Sequence, residues 1–353
     1  MPQPLRGALI GAGAISQYHL SAWEKISQAE IIAICDPNRQ NAENRAAEFG
    51  IPFEQVFTDP SEMFHAMPLD FVDIAAPPEA HLELTELAAT HHVHVNCQKP
   101  FALSLTEAQR MMDVCQRAGV TLNINENWRW RIWYRAIRQM IQDGKIGKPV
   151  YSRIFSHSSR FVNGNPRSRF NWKHVLLFEV GVHHVDVLRF LFGEPISVTA
   201  RTKDVSHALS GEDRAIVLLD FPDELHALID LSWSSFSPAG YADRDTHPIE
   251  DCRIEGERGT LELVRDPQKG NFIRLTTAAG VSEQPAHLGR TPAEAYLDSY
   301  IAAQGHFIDC LLSGEVPETA AADNFETLAI ILAAYRSAEL HQTVSIAESK
   351  AQT

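Results

Sequence analysis

Arg6-Gly7-Ala8-Leu9-Ile10-Gly11-Ala12-Gly13-Ala14-Ile15-Ser16-Gln17-Tyr18-His19-Leu20 is the stretch on which the fold turns. Arg6–Ile10 reads as a buried strand and a helical pattern begins at about Gln17, so the glycines lie where strand hands over to helix. Gly11 permits the tight turn, and Gly13 lets a pyrophosphate approach the backbone. Ser16 stands where the third glycine of a Gly-x-Gly-x-x-Gly motif falls, and being small it costs little close packing. The phosphates then face the backbone N–H groups around Ala14 and Ile15 and the positive end of the helix dipole. Asp36 ends the next strand, about 20 residues past the turn. A carboxylate there accepts from a ribose 2′-hydroxyl and repels a 2′-phosphate, which favours NAD over NADP.

Outward from this turn, strand candidates Ile31–Cys35, Phe71–Ile74, Val93–Cys97 and Thr121–Ile124 alternate with helical stretches Gln17–Ile26, Arg39–Phe49, Ser61–Ala66, Ala80–Thr90 and Leu105–Ala118. Such alternation implies a parallel sheet covered by helices on both faces. Past residue 124 the pattern changes. A helix over Trp133–Gln142 leads to a strand at Val150–Phe155, and a second helix runs from about Glu179 to Phe192. Six more strands follow without intervening helices: Ile196–Arg201, Ala215–Phe221, Leu225–Trp233, Cys252–Ile254, Thr260–Leu263 and Phe272–Thr276. Helical stretches Ala293–Leu312 and Asn324–His341 form the tail. The expected fold is α/β: a Rossmann domain over 1–124, then an α+β domain over 125–353 with an open, largely antiparallel sheet.

Composition narrows the function. Lys and Arg number 31 against 45 Asp and Glu, a net charge of −14, which argues against a nucleic-acid binder. The five cysteines are scattered with no Cys-x-x-Cys pair, which suits reduced thiols. No apolar run approaches a membrane span. The expected compartment is the cytoplasm.

Further motifs follow in order: Ala75-Ala76-Pro77-Pro78-Glu79-Ala80-His81, Gln98-Lys99-Pro100, and Glu179-Val180-Gly181-Val182-His183-His184-Val185-Asp186. Together with the glycine turn they resemble the glucose–fructose oxidoreductase/inositol dehydrogenase family, Gfo/Idh/MocA, over nearly the whole chain. The resemblance implies a substrate held between the domains against the nicotinamide, oligomerisation through the second-domain sheet as a homodimer or homotetramer, and redox chemistry on hydroxyl carbons of sugars, polyols or related hydroxy acids. It matches Lys99 to the catalytic lysine and His183 to the catalytic histidine. It places Pro77, His81, Gln98 and Asn127 (or Asn125) at the cofactor. Glu179 stands where the family commonly has aspartate, and Gln98 where it has glutamate.

Alcohol oxidation needs a base for the hydroxyl proton and a cation beside the developing alkoxide. His183 suits the first task and Lys99 the second, with Glu179 four residues before His183 on one helical face to orient it or the substrate. Asp186 reads as a further orienting group. His184 points about 100° away on the helix, so helix packing competes with substrate contact there. A metal held by Glu179, His183 and Asp186 is set aside because the lysine and the dinucleotide turn make a hydride mechanism sufficient, and the cluster His91, His92 and His94 reads as a helix end running into a strand.

Between Arg129 and Lys173 stand eleven basic residues and one acidic residue, Asp143, with tryptophans interleaved. Two readings stay open: a surface paired with acidic segments elsewhere, or a wall for an anionic substrate. In the second, Arg129, Arg167, Arg169 and Lys173 bind the anion and Trp130 or Trp172 stacks on a sugar face. Two other functions also stay open, a glycosidase that retains NAD and a non-catalytic sensor of dinucleotide or sugar.

Overall fold

The structure, a computed structural model, describes residues 3–158, 173–235, 251–266 and 270–351. Its first elements are β1 (Leu5–Ile10), α1 (Ser16–Trp23), β2 (Ala29–Cys35), α2 (Arg39–Phe49), β3 (Val56–Phe57), α3 (Pro60–Ala66), β4 (Phe71–Ile74), α4 (His81–Thr90), β5 (His94–Gln98), α5 (Leu105–Ala118) and β6 (Leu122–Asn125). The six strands are parallel in the order β3-β2-β1-β4-β5-β6. This is the doubly wound order, with its switch point between β1 and β4. Asn38 starts α2 by accepting from the Gln40 and Asn41 amides, and Gly50 closes it in the left-handed region at φ 69°.

After these come α6 (Ile132–Gln142), β7 (Pro149–His157), a five-residue π turn at Leu177–Gly181 and α7 (Val182–Phe192). Then follow β8 (Ser197–Lys203), β9 (Arg214–Asp220), β10 (His226–Ser232), β11 (Asp251–Gly256), β12 (Gly259–Asp266), β13 (Gly270–Thr277) and β14 (Gly280–Pro285). The chain ends in α8 (Pro292–Ser313), α9 (Ala321–Leu340), β15 (Val344–Ser345) and α10 (Ile346–Ala351). The second sheet runs β14-β13-β12-β11-β7-β10-β9-β8-β15. Its neighbours are antiparallel except β7 with β10. Ile154, Val217, Ile229, Ile254 and Leu261 bury one face. On the other face of the pleat Ile216 is exposed, and Leu218 and Leu228 are half-buried.

The chain divides into two compact units, 1–127 with 297–328 and 128–296 with 329–353. A single boundary at 124/125 therefore misses the return of 297–328 to the first unit. The reason is a buried polar ladder. Asp73 of β4 is in register with Asn96 of β5, which is in register with Asn123 of β6. The Asp73 carboxylate is fully buried and bonds His19 Nδ1 at 2.8 Å, Trp23 Nε1 at 2.6 Å, Asn96 Nδ2 at 2.9 Å and Gln304 Nε2 at 3.2 Å. A carboxylate taken out of water needs such donors, and Gln304 of α8 is one of them. Phe307 and Ile308 pack against Trp23, Ile26 and Phe71 beside it. No helix among the described residues is long and apolar enough to cross a membrane.

Candidate active site

Gly11 lies at the switch point. Its φ is 100°, and a Cβ there would stand 2.7 Å from the backbone of Ala75 and Ala76 beyond β4, so the packing itself demands glycine. Gly13 differs: a Cβ would meet nothing within 4 Å. Open space at position 13 suits the close approach of a pyrophosphate. The Gly13 carbonyl accepts from Ser16 Oγ at 2.6 Å and from Arg45 Nη2 at 3.4 Å. Across a trans peptide the Ala14 N–H then points the opposite way. Ser16 at the third-glycine position thus pins the turn as well as filling little space. No side chain caps α1 at Ile15; the Ser16 and Tyr18 amides bond the Gly13 and Ile15 carbonyls, at 3.2 and 3.0 Å.

Asp36 faces this turn. Its Oδ2 accepts from the Ala12 amide at 2.7 Å and its Oδ1 from the Asn38 amide at 2.8 Å. Each oxygen keeps a further lone pair for ribose hydroxyls. These residues fit a dinucleotide. Arg45, from α2, carried no motif signal; only the folded chain brings its guanidinium to the turn.

Lys99 follows β5. Gln98 is buried, in register with Asn125 of β6, and its Oε1 accepts from the Lys99 backbone N–H at 2.8 Å. Lys99 is half-buried, and the Lys99–Pro100 peptide is cis. His81 is fully buried, with Nδ1 3.2 Å from the Phe101 carbonyl and Nε2 3.0 Å from that of Ala76. Burial holds its pKa below the ordinary histidine value despite these carbonyls. His81 is packed inside the unit between the segment after Lys99 and the end of β4, and as a neutral imidazole with one N–H it donates to one of these two carbonyls. Pro77 stays exposed there. Asn125 is fully buried with Nδ2 3.4 Å from His19 Nε2, and buried Asn127 donates to Ser299 Oγ at 2.7 Å. These amide groups, too, are bonded within the unit.

In the second unit a short turn, Trp128–Trp130, meets α7. His183 is buried on α7, and the Trp128 indole lies parallel to its imidazole. Arg129 Nε donates to Asp186 Oδ2 at 2.7 Å, and Nη2 bonds Oδ1 of the same carboxylate. Both residues are buried. This corrects the reading of Arg129 as an anion clamp, since a buried bidentate pair leaves its charge neutralised. Lys173 pairs with Glu339 at 2.9 Å, and Arg135 lies 3.8 Å from the Trp130 ring centroid, covering a face that a sugar would need. Of this basic stretch, Arg129 is thus paired in the interior, Lys173 pairs at the surface and Arg135 stacks on an indole. Arg167, Arg169 and Trp172 lie outside the described residues. His184 is fully buried with Nδ1 2.9 Å from the Val180 carbonyl, which makes it a packing residue rather than a substrate contact.

Glu179 sits inside the π turn, and His183 follows on α7. The looser i to i+5 winding alters the shared face that α-helical spacing implies for this pair. Glu212, which sequence reasoning missed, closes the start of this segment. It accepts from the Val175 and Leu177 amides at 3.1 and 3.2 Å and from Tyr335 Oη at 2.6 Å. No group of three or more His, Cys, Asp or Glu among the described residues is placed to hold a metal ion.

A doubly wound unit with an open glycine turn and a pinned acidic residue is that of a dinucleotide-binding protein. The oxidoreductase family with NAD-binding Rossmann fold, GFO_IDH_MocA, matches residues 5–126, and the GFO/IDH/MocA C-terminal domain matches 134–262. The chain belongs to this family and is an NAD-dependent dehydrogenase acting on CH–OH groups. It is 37% identical over 349 residues to D-apiose dehydrogenase of Paraburkholderia graminis, covering 98% of this chain and 91% of the relative. It is 34% identical to D-apiose dehydrogenase of Rhizobium rhizogenes, covering 97% of each. Among solved structures, an oxidoreductase from Agrobacterium radiobacter in complex with NAD+, L-tartaric acid and magnesium superposes with a TM-score of 0.89 at 32% identity, covering 98% of this chain and 99% of that one.

Proposed function

We propose that the protein oxidises a hydroxyl carbon of a neutral sugar, D-apiose or a close analogue, with NAD. The observation that carries the reading is the turn at Gly13, open to a pyrophosphate and faced by an Asp36 carboxylate already fixed for ribose hydroxyls. Two relatives named for D-apiose, similar along almost the whole chain, support the substrate. The burial of Arg129 against Asp186, which neutralises its charge, supports an uncharged one.

The bound nicotinamide ring supplies the hydride acceptor. Gly13, Ala14 and Ile15 hold the pyrophosphate through backbone amides, and Asp36 holds the ribose. His183 takes the hydroxyl proton on its imidazole. Lys99 Nζ donates to the substrate oxygen as negative charge develops there. Glu179 orients the substrate hydroxyls. The protein works in the cytoplasm, its five thiols buried and unlinked. It assembles as a homodimer or homotetramer through the open face of the nine-stranded sheet, where Ile216 is exposed.

NADH formation with D-apiose, other aldoses, inositols and aldonic acids, with NADP in parallel, tests this. Turnover of D-apiose that is lost in Lys99→Ala and His183→Ala is the expected result. Turnover of acids alone would overturn the neutral-sugar reading. NAD retained through purification with no net NADH release, or a biological role intact in Lys99→Ala, would overturn the dehydrogenase.

A further inference from the structure

We propose that Trp128 is a positioning residue that sets the plane of the His183 imidazole, backed by Arg131 and locked to α7 by the Arg129–Asp186 pair. The inference rests on His183 being the base. The two rings lie 4.3 Å apart between centroids and only 3° from parallel. The Arg131 guanidinium carbon stands 3.6 Å from the Trp128 ring centroid. Two planar groups at these separations cannot share one face of an indole without overlapping, so the indole is sandwiched between guanidinium and imidazole. The edge of His184 closes a third side, at 5.0 Å and 73°.

The arrangement does what a base requires. The second side-chain torsion of histidine has broad wells, so bonding alone sets the ring plane weakly. A proton acceptor must point a lone pair within hydrogen-bond reach of the hydroxyl. Face-to-face stacking fixes the plane through the ring faces, while both nitrogens lie on the ring edge. The buried Arg131 cation holds the indole from behind through its π-face. Arg129, next in sequence to Trp128, grips Asp186 on the following turn of α7, so indole and imidazole are referred to one helix. With both faces covered, Trp128 is not a platform for a sugar ring.

The test uses the full chain in four forms: parent, Trp128→Leu, Trp128→Phe and His183→Ala. Labelled-histidine NMR reads the carbon-bound imidazole protons of His183, identified by their loss in His183→Ala. Stacking should place them upfield of ordinary histidine signals in the parent and in Trp128→Phe, and Trp128→Leu should return them to the ordinary range. Trp128→Leu should lose about 10–100-fold in kcat, with NADH affinity unchanged, which shows that the chain is folded. Trp128→Phe should recover most of that loss. An unshifted His183 signal in the parent, or parental kcat in Trp128→Leu alongside an inactive His183→Ala, would overturn the inference alone. Full turnover in His183→Ala would overturn the base assignment and this inference with it.

Discussion

At Asp36 both carboxylate oxygens accept a backbone amide, from Ala12 and from Asn38. Spacing after the glycine turn was enough to single out this residue, because strand, turn and acid recur at fixed intervals. That the acid is held rigid was not legible, since its partners are main-chain atoms with no identity in the sequence. Asp36→Asn keeps one acceptor but turns an NH2 toward a backbone N–H and removes the charge. Charge-assisted bonds contribute about 1.5–3 kcal/mol, so NAD binding should weaken about tenfold or more. The repulsion of a 2′-phosphate disappears at the same time, so the ratio of NADP to NAD affinity should rise further. Equilibrium titration with NADH and NADPH reads both effects, and an unchanged ratio would remove Asp36 from cofactor choice.

Elements with strong periodicity were legible: every expected strand of the parallel sheet is present, and so are both tail helices. β14 was not, because its residues are almost all exposed and carry no apolar alternation. β3 and β15, two residues each, are too short to show any pattern. The π turn at Leu177–Gly181 escaped for another reason: its winding depends on what satisfies the amides at its start, and that is Glu212, distant in sequence. Tyr335 lies on the other side of the same carboxylate, its hydroxyl pKa pushed well up by burial and by the Glu212 charge. Glu212→Ala strands two buried amides and the Tyr335 hydroxyl at once. At roughly 1–3 kcal/mol for each unsatisfied group, it should destabilise the protein by several times the effect of Tyr335→Phe, about 1 kcal/mol. Denaturant titration measures both. Because the turn carries Glu179, kcat in Glu212→Ala should fall more than NADH affinity does. Equal losses would make Glu212 a general stabiliser only.

Over the whole molecule, the sequence showed two domains but not that 297–328 returns to the first, because that return rests on contacts between residues far apart in the chain: Gln304 with Asp73, Ser299 with Asn127, Thr319 with Asn123, and Phe307 and Ile308 with Trp23 and Phe71. The same burial of polar groups sets the response to acid. His81, His91, His94, His174 and His287 are each pushed below the ordinary histidine pKa, burial being the largest cause, with His65 adding to it at His91 and Arg131 at His287. These histidines take up protons at lower pH when folded than when unfolded, where they titrate near pH 6.5. Below that pH the unfolded chain binds more protons than the native one, so stability falls as pH falls. Each such histidine contributes a slope of up to about 1.4 kcal/mol per pH unit, from its unfolded value down to its lowered native one. Between about pH 6.5 and 5 ordinary carboxylates remain ionised, so a loss of stability in that window belongs to the histidines. Denaturation midpoints should drop steadily across it, and His287→Phe, which removes one of the five, should flatten the slope. A parent protein equally stable from about pH 7 to 5 would mean that these histidines protonate as readily folded as unfolded.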